Sequence, residues 1–211
     1  MTTEDLIRRL AADPRPAPTV ARTLARWLGP AVLAAFASMA FGWGFRPDLL
    51  RAYADPVVAL KVVLPSLLAG AAVVGALRLA RPEGHTRGSV AALALVALTA
   101  LGLWTFGFAV TPRENWGAAM QGSTLAACLL SIPTLAFLPT LALLLALRRG
   151  ASLSSTLSGA LAGLGGGGIA ASVYAFHCPE DQPLFFVTWY GTGILIVTVL
   201  GALAGRRWLR W

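Results

Sequence analysis

The chain has 211 residues, of which 57% are apolar before its 22 glycines are counted, and 12% are charged, about half the share found in soluble domains. So few charges cannot cover a water-exposed surface, and with only two cysteines a disulfide scaffold, collagen and intrinsic disorder are excluded as well. What remains is a polytopic membrane protein. The formal net charge of +8 raises the question of nucleic acid, and the placement of the arginines answers it below.

Taken in chain order, residues 1–26 form a polar-rich N-terminal segment ahead of a transmembrane domain spanning 27–211. Thr3-Glu4-Asp5-Leu6-Ile7-Arg8-Arg9-Leu10 predicts a short helix, with Thr3 as its cap and the acids in its first turn. Leu6, Ile7 and Leu10 share one face and the arginine pair takes the other. A helix this short is unstable alone and needs a surface, either the membrane or a partner protein. Asp13, Pro14, Arg15 and Pro16 interrupt what a twin-arginine signal would need to be apolar. The first apolar run therefore reads as an uncleaved span.

Six windows are long enough to cross hydrocarbon as helices: about 28–45, 57–79, 89–110, 125–147, 156–176 and 184–205. The expected fold is all-α, a bundle of six transmembrane helices with a short cytoplasmic N-terminal helix. Arg8, Arg9, Arg15, Arg22 and Arg26 precede the first span; Arg78, Arg81, Arg87, Arg148 and Arg149 lie in even-numbered connections; Arg206, Arg207 and Arg210 close the chain. The opposite side carries Arg46, Arg51 and Arg113. This asymmetry places both termini in the cytoplasm, with the lipid bilayer around the spans. Arginines spread over four inner segments follow topology, so no direct nucleic-acid partner is expected.

Lys61 lies about a turn inside the second span and is expected to snorkel to the outer interface, a buried functional lysine being the alternative. Trp43, Trp104, Trp116, Trp189, Tyr190, Trp208 and Trp211 fall near span ends, as an interfacial aromatic belt does. Pro133 and Pro139 make the fourth span the candidate moving part, and Pro65 interrupts the second. Gly159, Gly163, Gly167 and Ala171 form one smooth face for close helix packing, repeated by Gly201 and Gly205. The run Gly165–Gly168 has no Lys-Ser/Thr after it, so it is no phosphate loop, and it is expected to loosen the fifth helix locally.

The spans offer nothing to catalysis: no paired carboxylate, HExxH, CxxC or Ser-x-x-Lys, and no acidic residue for proton coupling. His85 and His177 fall on opposite sides, which excludes a haem bridged between them. The outer side holds the exceptional feature. Cys128 opens the fourth span and Cys178 follows the fifth in His177-Cys178-Pro179-Glu180-Asp181, so both emerge near one surface. An oxidising compartment permits a disulfide between them. The alternatives are a soft-metal site completed by His177, Glu180 or Asp181, and two ordinary cysteines in apolar helices.

TEDLIRRLAAD with Pro14 and Pro16, RPDL after the first span, CLLSIP opening the fourth, and HCPED before LFFVTWYGTGI together resemble the NrsF family, negative regulators of sigma factor F. The resemblance covers essentially the whole chain. It implies an anti-sigma factor of the bacterial inner membrane, not an enzyme, whose cytoplasmic part holds an extracytoplasmic-function sigma factor. It further implies that Cys128 and Cys178 take part in sensing heavy-metal or oxidative stress, with no resident cofactor and at most transient heavy-metal binding at the thiols. The N-terminal helix, through Leu6, Ile7 and Leu10, is the expected sigma-binding element, with the inner loops sharing in it. The competing functions are a membrane thiol–quinone redox enzyme, which wants a vicinal cysteine pair absent here, and a small-solute transporter, which wants intramembrane charge.

Overall fold

A backbone in hydrocarbon must satisfy its own hydrogen bonds, and the apolar windows do so as helices. The computed structural model describes residues 2–12, 19–81, 84–152 and 154–209, with the backbone alone for Leu6, Arg9 and Leu10. Among these residues every regular element is helical: α1 (Thr3–Ala11), α2 (Val20–Gly42), α3 (Leu49–Ala52), α4 (Pro56–Leu79), α5 (Arg87–Val110), α6 (Trp116–Gln121), α7 (Leu125–Leu147), α8 (Ser155–Tyr174) and α9 (Pro183–Trp208), with a 3-10 turn at Arg113–Asn115. Helices α2, α4, α5, α7, α8 and α9 are the 6 that are long and apolar enough to cross a membrane. The all-α bundle expected from composition is the fold.

The second to sixth spans lie close to their expected bounds, but the first starts earlier. Thr19 caps α2 by accepting from the Arg22 amide at 3.3 Å, and the helix carries Arg22 and Arg26 on its first turns. Residues 20–26, assigned above to the N-terminal segment, are therefore already helical and continuous with the first span. Helix α1 is capped by Thr2 rather than Thr3: the Asp5 amide donates to Thr2 Oγ1 at 3.3 Å, and that hydroxyl donates back to the Asp5 carboxylate at 2.8 Å.

Successive spans alternate in direction. The Ala151 amide, after α7, donates to the Ala80 carbonyl, after α4, at 3.1 Å. Leu24, near the start of α2, shares a buried cluster with Leu147 and Leu209. Both chain ends thus belong to one end of the bundle, the terminal end. The connections 43–55, 111–124 and 175–182 gather at the other, the distal end, where Arg46 reaches the Cys178 carbonyl.

Helix α8 sits at the centre, packed on α9, α4 and α7. Its glycines are the reason it can. A Cβ on Gly159 would overlap the Gly201 carbonyl, one on Gly163 would stand 2.8 Å from Thr198 Cα, and one on Gly167 would stand 3.2 Å from Ile194 Cα. On the other faces a Cβ on Gly166 would overlap Thr140 of α7, and one on Gly168 would stand 2.7 Å from the Pro65 carbonyl of α4. The four-glycine run is therefore held on three sides. Helix α8 runs unbroken from Ser155 to Tyr174, which corrects the expectation of loosening: packing supplies what helix propensity lacks.

Candidate functional site

The segment 175–181, between α8 and α9, is held residue by residue to its neighbours. Tyr53 Oη donates to the Ala175 carbonyl at 2.8 Å, and the Arg46 amide donates to the Phe176 carbonyl at 3.1 Å. His177 Nδ1 lies 3.0 Å from the Gly44 carbonyl, so that nitrogen carries the proton and donates. Gly44 takes a φ of +79°, a conformation glycine adopts freely. Glu180 accepts from the Ser123 amide and hydroxyl, both at 2.7 Å. The turn that presents Ser123 needs Gly122 at φ +53°, where a Cβ would also strike the Phe185 ring at 2.5 Å.

Two cations converge on the middle of this segment. Lys61 Nζ donates to the Cys178 carbonyl at 2.7 Å and to Asp181 Oδ1 at 3.1 Å. Arg46 donates to the same carbonyl at 3.3 Å and to both Asp181 oxygens at 2.6 and 2.8 Å, while its remaining edge grips Asp48 at 2.8 and 3.0 Å. The side chains of Lys61 and Arg46 are 0% and 3% exposed. Lys61 therefore does not snorkel to the interface as expected from its position; it turns inward to a carboxylate, because a desolvated ammonium needs a counter-ion. Hydrogen bonds to Asp181 and Asp48 raise the Arg46 pKa further above its ordinary value. Burial pushes the Asp181 carboxyl up, but the hydrogen bonds from Arg46 and the nearby Lys61 charge outweigh it and hold it below the usual carboxylate range. Hydrogen bonds from Arg46 lower Asp48, and burial pushes the Tyr53 phenol up to about 12.

Beneath this clasp lie the two thiols. Cys128 and Cys178 are both free and both 0% exposed, in one buried cluster with Ile132, Tyr174, Phe185 and Tyr190. They are near enough to interact electrostatically. The sequence placed them at a common surface; the structure brings them together but inside the core. The rings of His177 and Tyr174 lie 5.7 Å apart and those of Tyr174 and Tyr190 5.9 Å apart. The Tyr174 hydroxyl approaches Ser131 and the Tyr190 hydroxyl approaches Cys178, yet neither completes a hydrogen bond of ordinary geometry among the described residues.

The candidate accessory ligands are dispersed. His177 faces Gly44, Glu180 faces Ser123, and Asp181 is taken by the two cations. Among the described residues no group of three or more His, Cys, Asp or Glu side chains is arranged to hold a metal ion. Tyr190, assigned above to the aromatic belt, is a core residue at 3% exposure. Trp189 and Trp104 donate from their indoles to the Met120 carbonyl and Thr188; Trp211 lies outside the described residues. Of the residues expected to bind a sigma factor, Ile7 is exposed, while the side chains of Leu6 and Leu10 lie outside the described residues.

RPDL supplies Arg46 and Asp48, CLLSIP supplies Cys128 and Ser131, HCPED supplies Cys178 and Asp181, and the start of α9 supplies Phe185 and Tyr190. Motifs scattered over the chain thus converge on one end of the bundle. The chain matches the family described as NrsF, negative regulator of sigma F, over residues 10–211. It belongs to that family of negative regulators. It is 36% identical over 221 residues to the anti-sigma-F factor NrsF of Caulobacter vibrioides, covering 100% of both chains. It is 34% identical over 221 residues to the probable anti-sigma-F factor NrsF of Azospira oryzae, again covering 100% of both. No solved structure matches it. Membership in this family points to a regulatory rather than a catalytic role.

The sequence reading missed Arg46, Tyr53 and Tyr174 as parts of the site, and for Lys61 it preferred the interface to a buried functional role. For Lys61 there was a signal: it is the only lysine in a chain whose other cations are arginines, and it stands inside a span.

Proposed function

We propose that the chain is an anti-sigma factor of the bacterial inner membrane that holds an extracytoplasmic-function sigma factor at its cytoplasmic face and releases it when Cys128 and Cys178 react with a heavy metal or an oxidant. In this reading both termini are cytoplasmic, as the arginine-rich segments of the terminal end favour, and the distal end faces the periplasm. The role needs no resident cofactor; a heavy-metal ion would be the signal. One observation carries the reading: two cysteines from distant parts of the chain share a buried cluster under an ion-paired loop, at the end away from the termini.

The thiolate is both the metal ligand and the oxidisable form, and soft metals prefer it. Because both thiols are buried, reaction requires the loop over them to open. Reacted and unreacted proteins then differ in shape, and only such a difference lets a chemical event shift an equilibrium across the membrane. Helix α7 begins beside Cys128 and ends at Leu147 on the terminal side, so it joins the two ends directly.

The test replaces each cysteine with serine, singly and together, and follows sigma-dependent transcription under cadmium or peroxide. Each single variant should lose the response as fully as the double variant while repression without stress is kept. A normal response in Cys128→Ser would reduce the pair to Cys178 alone; a normal response in both would remove the thiols from sensing.

A further inference from the structure

We infer that Arg46, Lys61 and Asp181 form a latch that controls how fast reagents reach Cys178, and so sets the stress level at which the response begins. The second half rests on the reading of Cys178 as a sensor; the first does not. Cys178 is fully buried, and both buried cations donate to its backbone carbonyl. Asp181, three residues on, ties the same two cations together. The thiol can reach solvent only if this segment swings outward. That motion must strip Lys61, 0% exposed, of both its carbonyl and its carboxylate, and must leave Arg46, 3% exposed, with Asp48 alone.

An adduct on Cys178 also cannot be accommodated in a close-packed interior. The reacted form is therefore stable only with the latch open, and each reaction at the thiol traps the open state. The three residues are positioning residues. Asp181 matters most because it holds both cations; Lys61 matters less, since Arg46 still reaches the carbonyl and Asp181 without it.

The full-length protein in lipid nanodiscs tests this directly. N-ethylmaleimide takes up the thiolate sulfur on one alkene carbon and a proton on the other, and peptide mass spectrometry reads Cys178 by itself. Because Lys61 is the only lysine, an acylating ester reports latch opening independently at its amine. Hydrogen exchange in α8, residues 159–171, reports whether the bundle itself stays closed.

Asp181→Asn should raise both Cys178 alkylation and Lys61 acylation about tenfold or more, with α8 exchange unchanged, as local opening requires. Asp181→Glu should restore protection to within about threefold of the wild type, and Lys61→Met should raise Cys178 alkylation by about threefold to tenfold. If Asp181→Asn does not insert, Lys61→Met decides alone. Unchanged Cys178 alkylation, or alkylation that rises only in step with α8 exchange, overturns the latch. A normal stress response in Cys178→Ser would instead overturn the sensor reading and leave the alkylation result standing.

Discussion

Removing one partner of a buried ion pair costs far more than replacing the pair, because the survivor is left charged and desolvated. Asp181→Asn takes the paired carboxylate from buried Lys61 and leaves Arg46 with Asp48 as its remaining counter-ion, and should destabilise the protein by about 3–5 kcal/mol. Lys61→Met removes a cation while Arg46 goes on satisfying Asp181 and the Cys178 carbonyl, so its cost should stay under about 1 kcal/mol. Thermal unfolding in a mild detergent, followed by tryptophan fluorescence, should rank them so; equal losses would mean that the two charges do not share their partner. The pH dependence follows from the same contacts. Asp181 is held below its ordinary value, so its contribution is complete above the unfolded carboxylate pKa of about 4 and is lost as pH falls through the lower folded value. Tyr53 is raised to about 12, so its contribution is complete below the unfolded phenol pKa of about 10 and is lost as pH rises through the folded value. The wild-type melting temperature should therefore hold a plateau between about pH 5 and 9. Its fall in acid should be steeper than that of Asp181→Asn, which has no such contribution left to lose.

Among the elements, the α8–α9 contact depends most sharply on what is missing. Backbones meet at Gly159, Gly163, Gly201 and Gly205, where a Cβ on any one would lie within 3.0 Å of the facing helix backbone. Gly163→Leu must push the Val197 carbonyl of α9 away from α8 and should cost at least the roughly 1–3 kcal/mol of an overpacked core. Gly191, on the same helix α9, has nothing within 4 Å of a built Cβ. Gly191→Ala should leave stability unchanged or raise it by up to about 1 kcal/mol through helix propensity. Comparable melting temperatures for the two variants would mean that the small-residue face is not what joins these helices. Helix α7 accommodates Pro133 and Pro139 without a break from Leu125 to Leu147. The missing amides are offset by packing, with Ile132, Leu135, Ala136 and Pro139 all buried.

At the scale of the whole molecule the two ends carry different chemistry. The distal end holds the thiols and the ion-paired loop; the terminal end holds α1, with Glu4 and Asp5 in its first turn and Ile7 exposed at 60%. If α1 docks a sigma factor through its apolar face, burying each leucine contributes about 1.5–3 kcal/mol. Leu6→Asp with Leu10→Asp should then abolish sigma-factor capture from solubilised membranes while the protein still inserts. Undiminished capture would move the docking surface to the connections near Arg81 and Arg148.

Composition alone determined that this protein lives in lipid, and hydropathy placed five of its six spans closely, because a helix in hydrocarbon is dictated by length and apolarity within one segment. The row Gly159-Gly163-Gly167 was legible for the same reason: its meaning is a local period. Cys128 and Cys178 were legible as chemistry and as belonging to one end. Their burial was not, because exposure is a property of what other segments lay over them. Lys61 shows the limit most clearly. One lysine inside a span reads as snorkelling until the fold delivers Asp181 and the Cys178 carbonyl within 3.1 Å of it. Its counter-ion lies 120 positions away, and no local pattern encodes a partner at that distance. The start of α2 failed in a milder way, since Thr19 caps a helix whose first turns are polar and carry no hydropathy signal. Segment-level properties set the spans; only tertiary structure decided which buried charges meet, because a desolvated ion is tolerated only where a distant residue comes to balance it.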